Sequence, residues 1–351
     1  MLLLVGAYTI DMNADAPGKA SGIGAYDFSL KTGSLEYRGT INEMNPSYLA
    51  VDAKNQVVYA VRECPDADGA AVAAHRIRRG AKNRITSESL GSIVLHCDHP
   101  CHVSRVGNTL LTSCYTSGSV HVIGLHPDGS LADHRQRIPL DPGRQHAHAH
   151  CEAYDPKRER VYVCDLGNDC LRVFERGVDG ELAERPDLNL SFEPESGPRH
   201  CVLHPSGDYL LVNCEHRGRV ALIDLRSDAP GMLLNVPSLP ERAVDGASGA
   251  AIRIDARGRN VYVSERNYSV VSVLRLELDE QPRMYTRDTI PSGGARPRDL
   301  LLSPDGKWLL TANLKDHSIG VFRIGAGGAI QLQRVIKNVK SPTALAWMPG
   351  I

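Results

Sequence analysis

Neither sign of charge dominates this chain. Its 40 Lys and Arg against 41 Asp and Glu give a formal charge of −1, so no basic excess exists to hold a phosphate backbone by counterion release, and nucleic acid is not an expected partner. Long apolar runs are missing as well. No stretch approaches the roughly 18 residues of a spanning helix, so no membrane partner is expected. The apolar start Met1-Leu2-Leu3-Leu4-Val5-Gly6-Ala7 has no Lys or Arg before it and soon meets Asp11 and Asp15, which is unlike a secretory signal. The nine cysteines contain no Cys-x-x-Cys pair and no dense framework; that pattern predicts reduced, structural thiols and a cytoplasmic protein. Cys164 and Cys214 sit at alternating strand positions that a small apolar residue would also fill. Aromatic residues make up 5% of the chain, with two Trp and no Trp-Asp repeat, so the surface is poor in anchors for a protein-docking scaffold. A hydrophobic fraction of 42% with 23% charged residues is the composition of a packed globular protein.

One unit recurs along almost the whole chain. Asn45-Pro46-Ser47-Tyr48-Leu49-Ala50-Val51, leading to Val57-Val58-Tyr59-Ala60-Val61-Arg62-Glu63, has the same internal offset as Gly197-Pro198-Arg199-His200-Cys201-Val202-Leu203, leading to Tyr209-Leu210-Leu211-Val212-Asn213-Cys214-Glu215. The anchor position falls at Pro46, Pro100, Ala149, Pro198, Gly249, Pro297 and Pro342, at intervals of 45 to 54 residues. The seventh copy runs out at Ile351 after a single strand. Met1 to Tyr8 supplies a second strand, Gly22 to Phe28 a third, and Lys31-Thr32-Gly33-Ser34-Leu35 the turn into a fourth.

Within each unit, period-2 runs alternate with polar turns such as Ser303-Pro304-Asp305-Gly306-Lys307 and His126-Pro127-Asp128-Gly129-Ser130, where Asp-Gly suits a tight hairpin. Four strands per unit of about 50 residues, without an amphipathic helix, predict an all-β, seven-bladed β-propeller of four-stranded antiparallel blades. Both termini would share the last blade, making residues 1–351 one domain. A β-solenoid usually has a shorter repeat, and two sandwiches would not leave the last copy complementary to the first.

Function has to be read from the positions that break the repeat. Charges and imidazoles cluster at or beside the anchors, at His148, His150, Arg199, His200, Arg298 and Asp299, and at the strand ends Glu63, Tyr115, Asp165, Glu215 and Arg266. Gly6-Ala7-Tyr8-Thr9, Asn45-Pro46-Ser47-Tyr48-Leu49, Arg144-Gln145 followed by His148-Ala149-His150, Asp165-Leu166-Gly167-Asn168-Asp169, Gly197-Pro198-Arg199-His200 and Pro297-Arg298-Asp299 together resemble the bacterial seven-bladed lactonase family. That family includes propeller 6-phosphogluconolactonases and the related carboxymuconate cyclases, and the resemblance runs from Val5 to Trp347. It implies a cofactor-free site in the channel mouth, acting on a small anionic sugar-acid lactone or a muconate-type acid. Carried over by motif, the catalytic set is His148, Arg199, Glu215 and Arg266, with His150, His200, Arg298 and Glu63 as substrate-binding residues.

These residue types suit the chemistry. Lactone hydrolysis needs a base for water, donors for the tetrahedral oxyanion and an acid for the ring oxygen. His148 or Glu215 offers the base or acid, and Arg199 and Arg266 offer bidentate anion binding. The same set would serve a cycloisomerase, which forms or moves a lactone of a dicarboxylic acid without consuming water; a non-catalytic interaction propeller is the third reading.

Three departures from the family pattern bear on the substrate: Ala147 where Pro is common, Cys214 before Glu215 where Asn is common, and Glu265 before Arg266 where Asn is common. His146-Ala147-His148-Ala149-His150 would put three imidazoles on one face of an extended segment, but one such segment does not wrap an ion, and no metal is expected there. Any of the three could lie nearest the substrate. His96, His99 and His102 around Cys97 and Cys101 fit no standard zinc spacing and read as a loop leading into the second blade. Asp165 and Asp169 read as turn formers, and the runs Gly293-Gly294 and Gly325 to Gly328 as linkers.

Overall fold

A computed structural model describes all residues except 144–145, 241–242 and 244–245. Seven antiparallel sheets stand around a central channel. Their innermost strands are Leu49–Asp52, Pro100–Val106, Ala149–Asp155, Pro198–Leu203, Gly249–Ile254, Pro297–Leu302 and Pro342–Met348, here the first strands of blades 1 to 7. Each first strand packs against the first strands of the blades on either side, and Pro342–Met348 meets Leu49–Asp52, so the ring is closed.

Six sheets have four strands, in chain order in all but blade 7, and blade 3 adds the short segment Leu190–Ser191 against Cys170–Arg176. In blade 7 the C-terminal strand pairs with Leu2–Ala7, which continues to Gly22–Phe28 and Leu35–Asn42. The arrangement read from the truncated seventh repeat is the one observed. Gly129, at φ 84° in the turn after Leu125, takes the left-handed conformation that its Asp-Gly pair suggested.

The core consists of layers between neighbouring blades. In the second strand of blade 7, Leu2 and Leu4 pack toward blade 1, with Val58 and Ala60. Leu3 and Val5 turn the other way, onto Trp308 and Leu310 of blade 6. A strand buried on both faces has no polar side, which is why this segment reads as a continuous apolar run. Full burial of each such side chain contributes about 1.5–3 kcal/mol. Among the described residues, no helix is long and apolar enough to cross a membrane.

The expectation that all nine cysteines are reduced needs correcting at one pair. Cys97 and Cys114 form a disulfide, with Cα atoms 6.4 Å apart, while the other seven cysteines are free. The loop leading into blade 2 folds back over the end of that blade's second strand. A separation of 17 residues along the chain carries no sign of this contact.

Polar ties on the channel side cross between blades. Asp299, 1% exposed, accepts Arg253 Nη2 at 2.7 Å from blade 5, its neighbour Leu300 N at 2.8 Å, and Leu345 N at 2.8 Å from the closing strand of blade 7. Removing the carboxylate would leave a largely buried guanidinium unbalanced. Asp299→Ala is therefore expected to lower unfolding stability by about 3–5 kcal/mol, read as a fall in the urea midpoint at unchanged m-value.

Candidate active site

A repeated backbone irregularity builds the mouth of the channel. In blades 2, 3, 4 and 6 the ladder between the first and second strands slips by one residue just after the anchor, leaving Cys101, His150, Arg199 and Arg298 as the extra residue. A bulge of this kind bends the strand and re-aims a side chain. Ahead of it, Asn45, His99, Gly197, Arg296 and Ser341 adopt positive φ, between 40° and 60°, immediately before their anchors. The second strand of each blade then delivers the next residue beyond its end: Tyr8, Glu63, Tyr115, Glu215 and Arg266 occupy this position. Both sets line one cavity of about 270 Å³, rimmed by His99, Thr116, Met12 and Asn13.

The cavity holds three guanidinium groups and two carboxylates. Glu215 bridges two of the arginines, accepting Arg199 Nε at 2.9 Å and facing Arg266 Nη2 at 2.8 Å. Burial opposes ionisation of Glu215, but the charges of Arg266 and Arg199 outweigh it and bring its carboxyl down to about 2. Arg199 is 2% exposed and also donates Nη1 to Ala250 O at 2.7 Å; Arg266 reaches the carbonyls of Ser248 and Gly249. Tyr8 donates to Glu63, with its oxygen 3.0 and 3.1 Å from the two carboxylate oxygens. Burial pushes its phenol upward, so it stays a donor.

Arg298 lies over the Tyr8 ring, 5.2 Å from its centroid, with Nη2 4.0 Å from Glu63. It makes no direct hydrogen bond among the described residues, which leaves its donors for a ligand. His150 is buried, and its Nδ1 has no partner among the described residues. Burial first, then the fields of Arg199 and Arg298, hold its pKa well below the ordinary value, so the imidazole is neutral.

The structure thus brings together Glu63, His150, Arg199, Glu215, Arg266 and Arg298 of the residues singled out in the sequence. His200 lies deeper in the channel, its ring 5.2 Å from His150 and 5.7 Å from His102. His148 is set apart. It stacks on Tyr115 at 4.4 Å, gives an Nδ1 contact of 2.9 Å to Tyr115 O, and faces a wider groove with His146, Asp169 and His216. His148 and His150 therefore serve different cavities, contrary to the shared face expected of an extended segment, because the extra residue in the strand is His150 itself.

Asp165 accepts His148 N and Asn168 Nδ2 and pairs with Arg172, so it organises the turn as expected. Glu265 accepts the backbone N–H groups of Ser248 and Tyr268, fixing the turn that carries Arg266. His102 pairs with Glu152 at 2.9 Å, away from His96 and His99. Arg144 and Gln145 lie outside the described residues. Tyr8, Cys101 and Tyr115 complete the cavity lining beyond the residues named as catalytic or substrate-binding; each sits at the same repeat offset as a named residue, and that offset was the available signal.

Comparison with known proteins agrees with this architecture. The family described as a seven-bladed β-propeller lactonase matches residues 2–347. The chain belongs to that family. Among curated relatives, the 6-phosphogluconolactonase of Bacillus subtilis is 29% identical over 331 residues, covering 91% of this chain and 89% of the relative. That of Formosa agariphila is 24% identical over 336 residues, covering 92% of each. Among solved structures, a periplasmic gluconolactonase of Pseudomonas aeruginosa shares the fold at a TM-score of 0.85, with 22% identity and 99% of both chains covered.

The Glu215 bridge has a pH signature. Its carboxyl lies below the ordinary 4.5 in the folded protein, so its stabilising contribution is full above about pH 4.5 and is lost as the pH falls toward 2. Glu215→Gln is expected to cost about 3 kcal/mol at pH 7. The difference from the parent protein should shrink below pH 4.5 and vanish near pH 2, as measured by urea unfolding across that range.

Proposed function

We propose that this protein is a lactonase that hydrolyses the lactone of a small anionic sugar acid in the mouth of its channel. The observation that carries this reading is the convergence of Arg199, Arg266 and Arg298 on one small cavity with only Glu63 and Glu215 to balance them. With neutral imidazole the lining carries one net positive charge, which a ligand carboxylate neutralises and a ligand phosphate more than offsets. Lactonase membership and the names of the curated relatives support the reaction type.

Each residue has a role in this reading. Arg298, free of hydrogen bonds within the described chain, takes the anionic group. Arg199 and Arg266, held in place by Glu215 and by backbone carbonyls, present their remaining N–H groups to the lactone carbonyl, where negative charge develops as water adds. Such fixed donors need no rearrangement during the reaction.

The proton of the attacking water passes to an imidazole. His150 is the better base than Glu215, whose carboxylate is committed to two guanidinium groups. It is also better placed than His148, because it shares the cavity with the arginines. An anionic substrate weakens the local positive field and so raises the basicity of His150 at the moment it is needed. The same proton is then returned to the ring oxygen as the C–O bond breaks. His148 braces Tyr115, the wall between the two cavities.

The experiment is a pH-stat assay of purified protein with phosphorylated and unphosphorylated sugar-acid lactones, with product masses followed in parallel. Hydrolysis adds one water and releases a proton; rearrangement at unchanged mass would replace this reading with the cycloisomerase one. His150→Ala is expected to lower kcat about 10²–10⁴-fold, and His148→Ala less. Arg298→Ala should raise KM selectively for the phosphorylated lactone. A folded His150→Ala protein with the full rate would remove His150 from the chemistry.

A further inference from the structure

Beside the mouth, in the layer between blades 1 and 2, blade 2 carries a cluster of metal-ligating side chains that the lactonase reading does not use. The Sγ atoms of Cys97 and Cys114 and an imidazole nitrogen of His121 lie within 4.8 Å of one another. All three residues are buried, at 2%, 0% and 0% exposure. Cys97 and Cys114 belong to an apolar layer between blades 1 and 2 that includes Val57, Val72 and Leu110. We propose that Cys97, Cys114 and His121 form a site for one thiophilic divalent metal ion such as zinc, open when the Cys97–Cys114 bond is reduced and closed when it is formed.

A structural disulfide in an apolar layer needs no imidazole beside it, and a fully buried imidazole costs free energy unless both nitrogens are used. His121 Nδ1 meets His134 Nε2 at 3.0 Å, and Nε2 meets Ser119 Oγ at 3.0 Å. Ser119 pairs across the ladder with Cys114, so Nε2 points toward the sulfurs. With the Nδ1 proton donated to His134, Nε2 keeps a lone pair that the Ser119 hydroxyl occupies and can release by rotating. A partner on the far nitrogen is the arrangement that orients metal-bound imidazoles. Burial, then His134 and Arg137, push His121 down to about 3, which keeps the ring neutral. Two thiolates with one neutral imidazole form a soft donor set suited to zinc, and a water molecule would take the fourth position.

The chemistry balances as two steps. A dithiol reductant gives two electrons and two protons to the Cys97–Cys114 bond and leaves as its own disulfide, producing two thiols. The metal ion then displaces both thiol protons. The sulfurs of a tetrahedral zinc centre stand roughly 3.8 Å apart, a separation that side-chain rotation supplies between Cα atoms 6.4 Å apart. In the oxidised state no thiolate remains to bind.

Cobalt(II) titration of the full-length protein, with and without prior reduction by a dithiol that is then removed, is the test. The reduced protein is expected to bind one equivalent with a thiolate-to-cobalt charge-transfer band, displaced by zinc. The oxidised protein should show none. The double variant Cys97→Ser, Cys114→Ser should lose the band, and His121→Ala should weaken binding at least tenfold, with circular dichroism confirming the fold. His134→Ala should weaken it about 10–100-fold. If the variants do not fold, X-ray absorption of the reduced parent protein must give a shell of two sulfurs and at least one nitrogen. No band in the reduced protein, a band that survives the double variant, or a shell without sulfur would overturn the proposal.

Discussion

One extra residue near the head of the first strand is the constraint on which the rest of the site depends. A regular strand alternates its side chains, so only every second residue would face the channel. The bulges at Cys101, His150, Arg199 and Arg298 break that alternation and direct a further side chain into the mouth. The left-handed residue before several anchors turns the chain sharply from the outer strand of one blade to the centre of the next. Asn45 shows the tie in detail: its Oδ1 accepts the N–H groups of Thr9 and Ile10, and its Nδ2 donates to Glu63 O. The positions of Tyr8 and Glu63 are thus coupled through one side chain at the junction of blades 7 and 1.

Gathering three arginines in one cavity is electrostatically costly, and the structure offsets it locally. Glu215 comes from the second strand of blade 4, as does the pairing partner of the Arg199 strand, while Arg266 reaches over from blade 5. One carboxylate therefore holds cations from two blades in fixed relation. Glu63 does the same more loosely for Arg298, through Tyr8 and a longer contact. The tight pair is suited to orienting donors at a reacting carbonyl and the loose one to admitting an anion. Deeper in the channel, Asp299 and Glu152 tie adjacent blades through carboxylates that do not line the cavity.

The fold was legible in the sequence because the repeat is explicit and its last copy is visibly incomplete. The candidate site was legible where a residue's offset and its chemistry agreed, as at Arg199, Glu215, Arg266 and Arg298, which share one cavity. His150 was less clear, since a bulge changes which of two alternating histidines faces inward and leaves no mark in composition. Tyr8 was hidden differently. It occupies the position of Glu63, one residue past a second strand, but belongs to a blade assembled from both termini. The Cys97–Cys114 contact depends on how a loop folds back over a strand end, which periodicity does not encode.

The lining positions also explain how one ring can serve different ligands without altering its core. Blades 2, 3, 4 and 6 place Cys101, His150, Arg199 and Arg298 at the position after the anchor, whereas blades 1, 5 and 7 carry Ser47, Ala250 and Thr343 there. The small residues leave room in the cavity, and the polar and charged ones supply binding groups. None of these side chains belongs to the apolar layers that hold the blades together, with clusters such as Leu2, Leu4 and Val58 or Leu3, Val5 and Leu310 lying further out. Changing a lining residue therefore alters which polar groups of a ligand find partners, at up to several kcal/mol for a mismatch, while the packing that closes the ring is left intact.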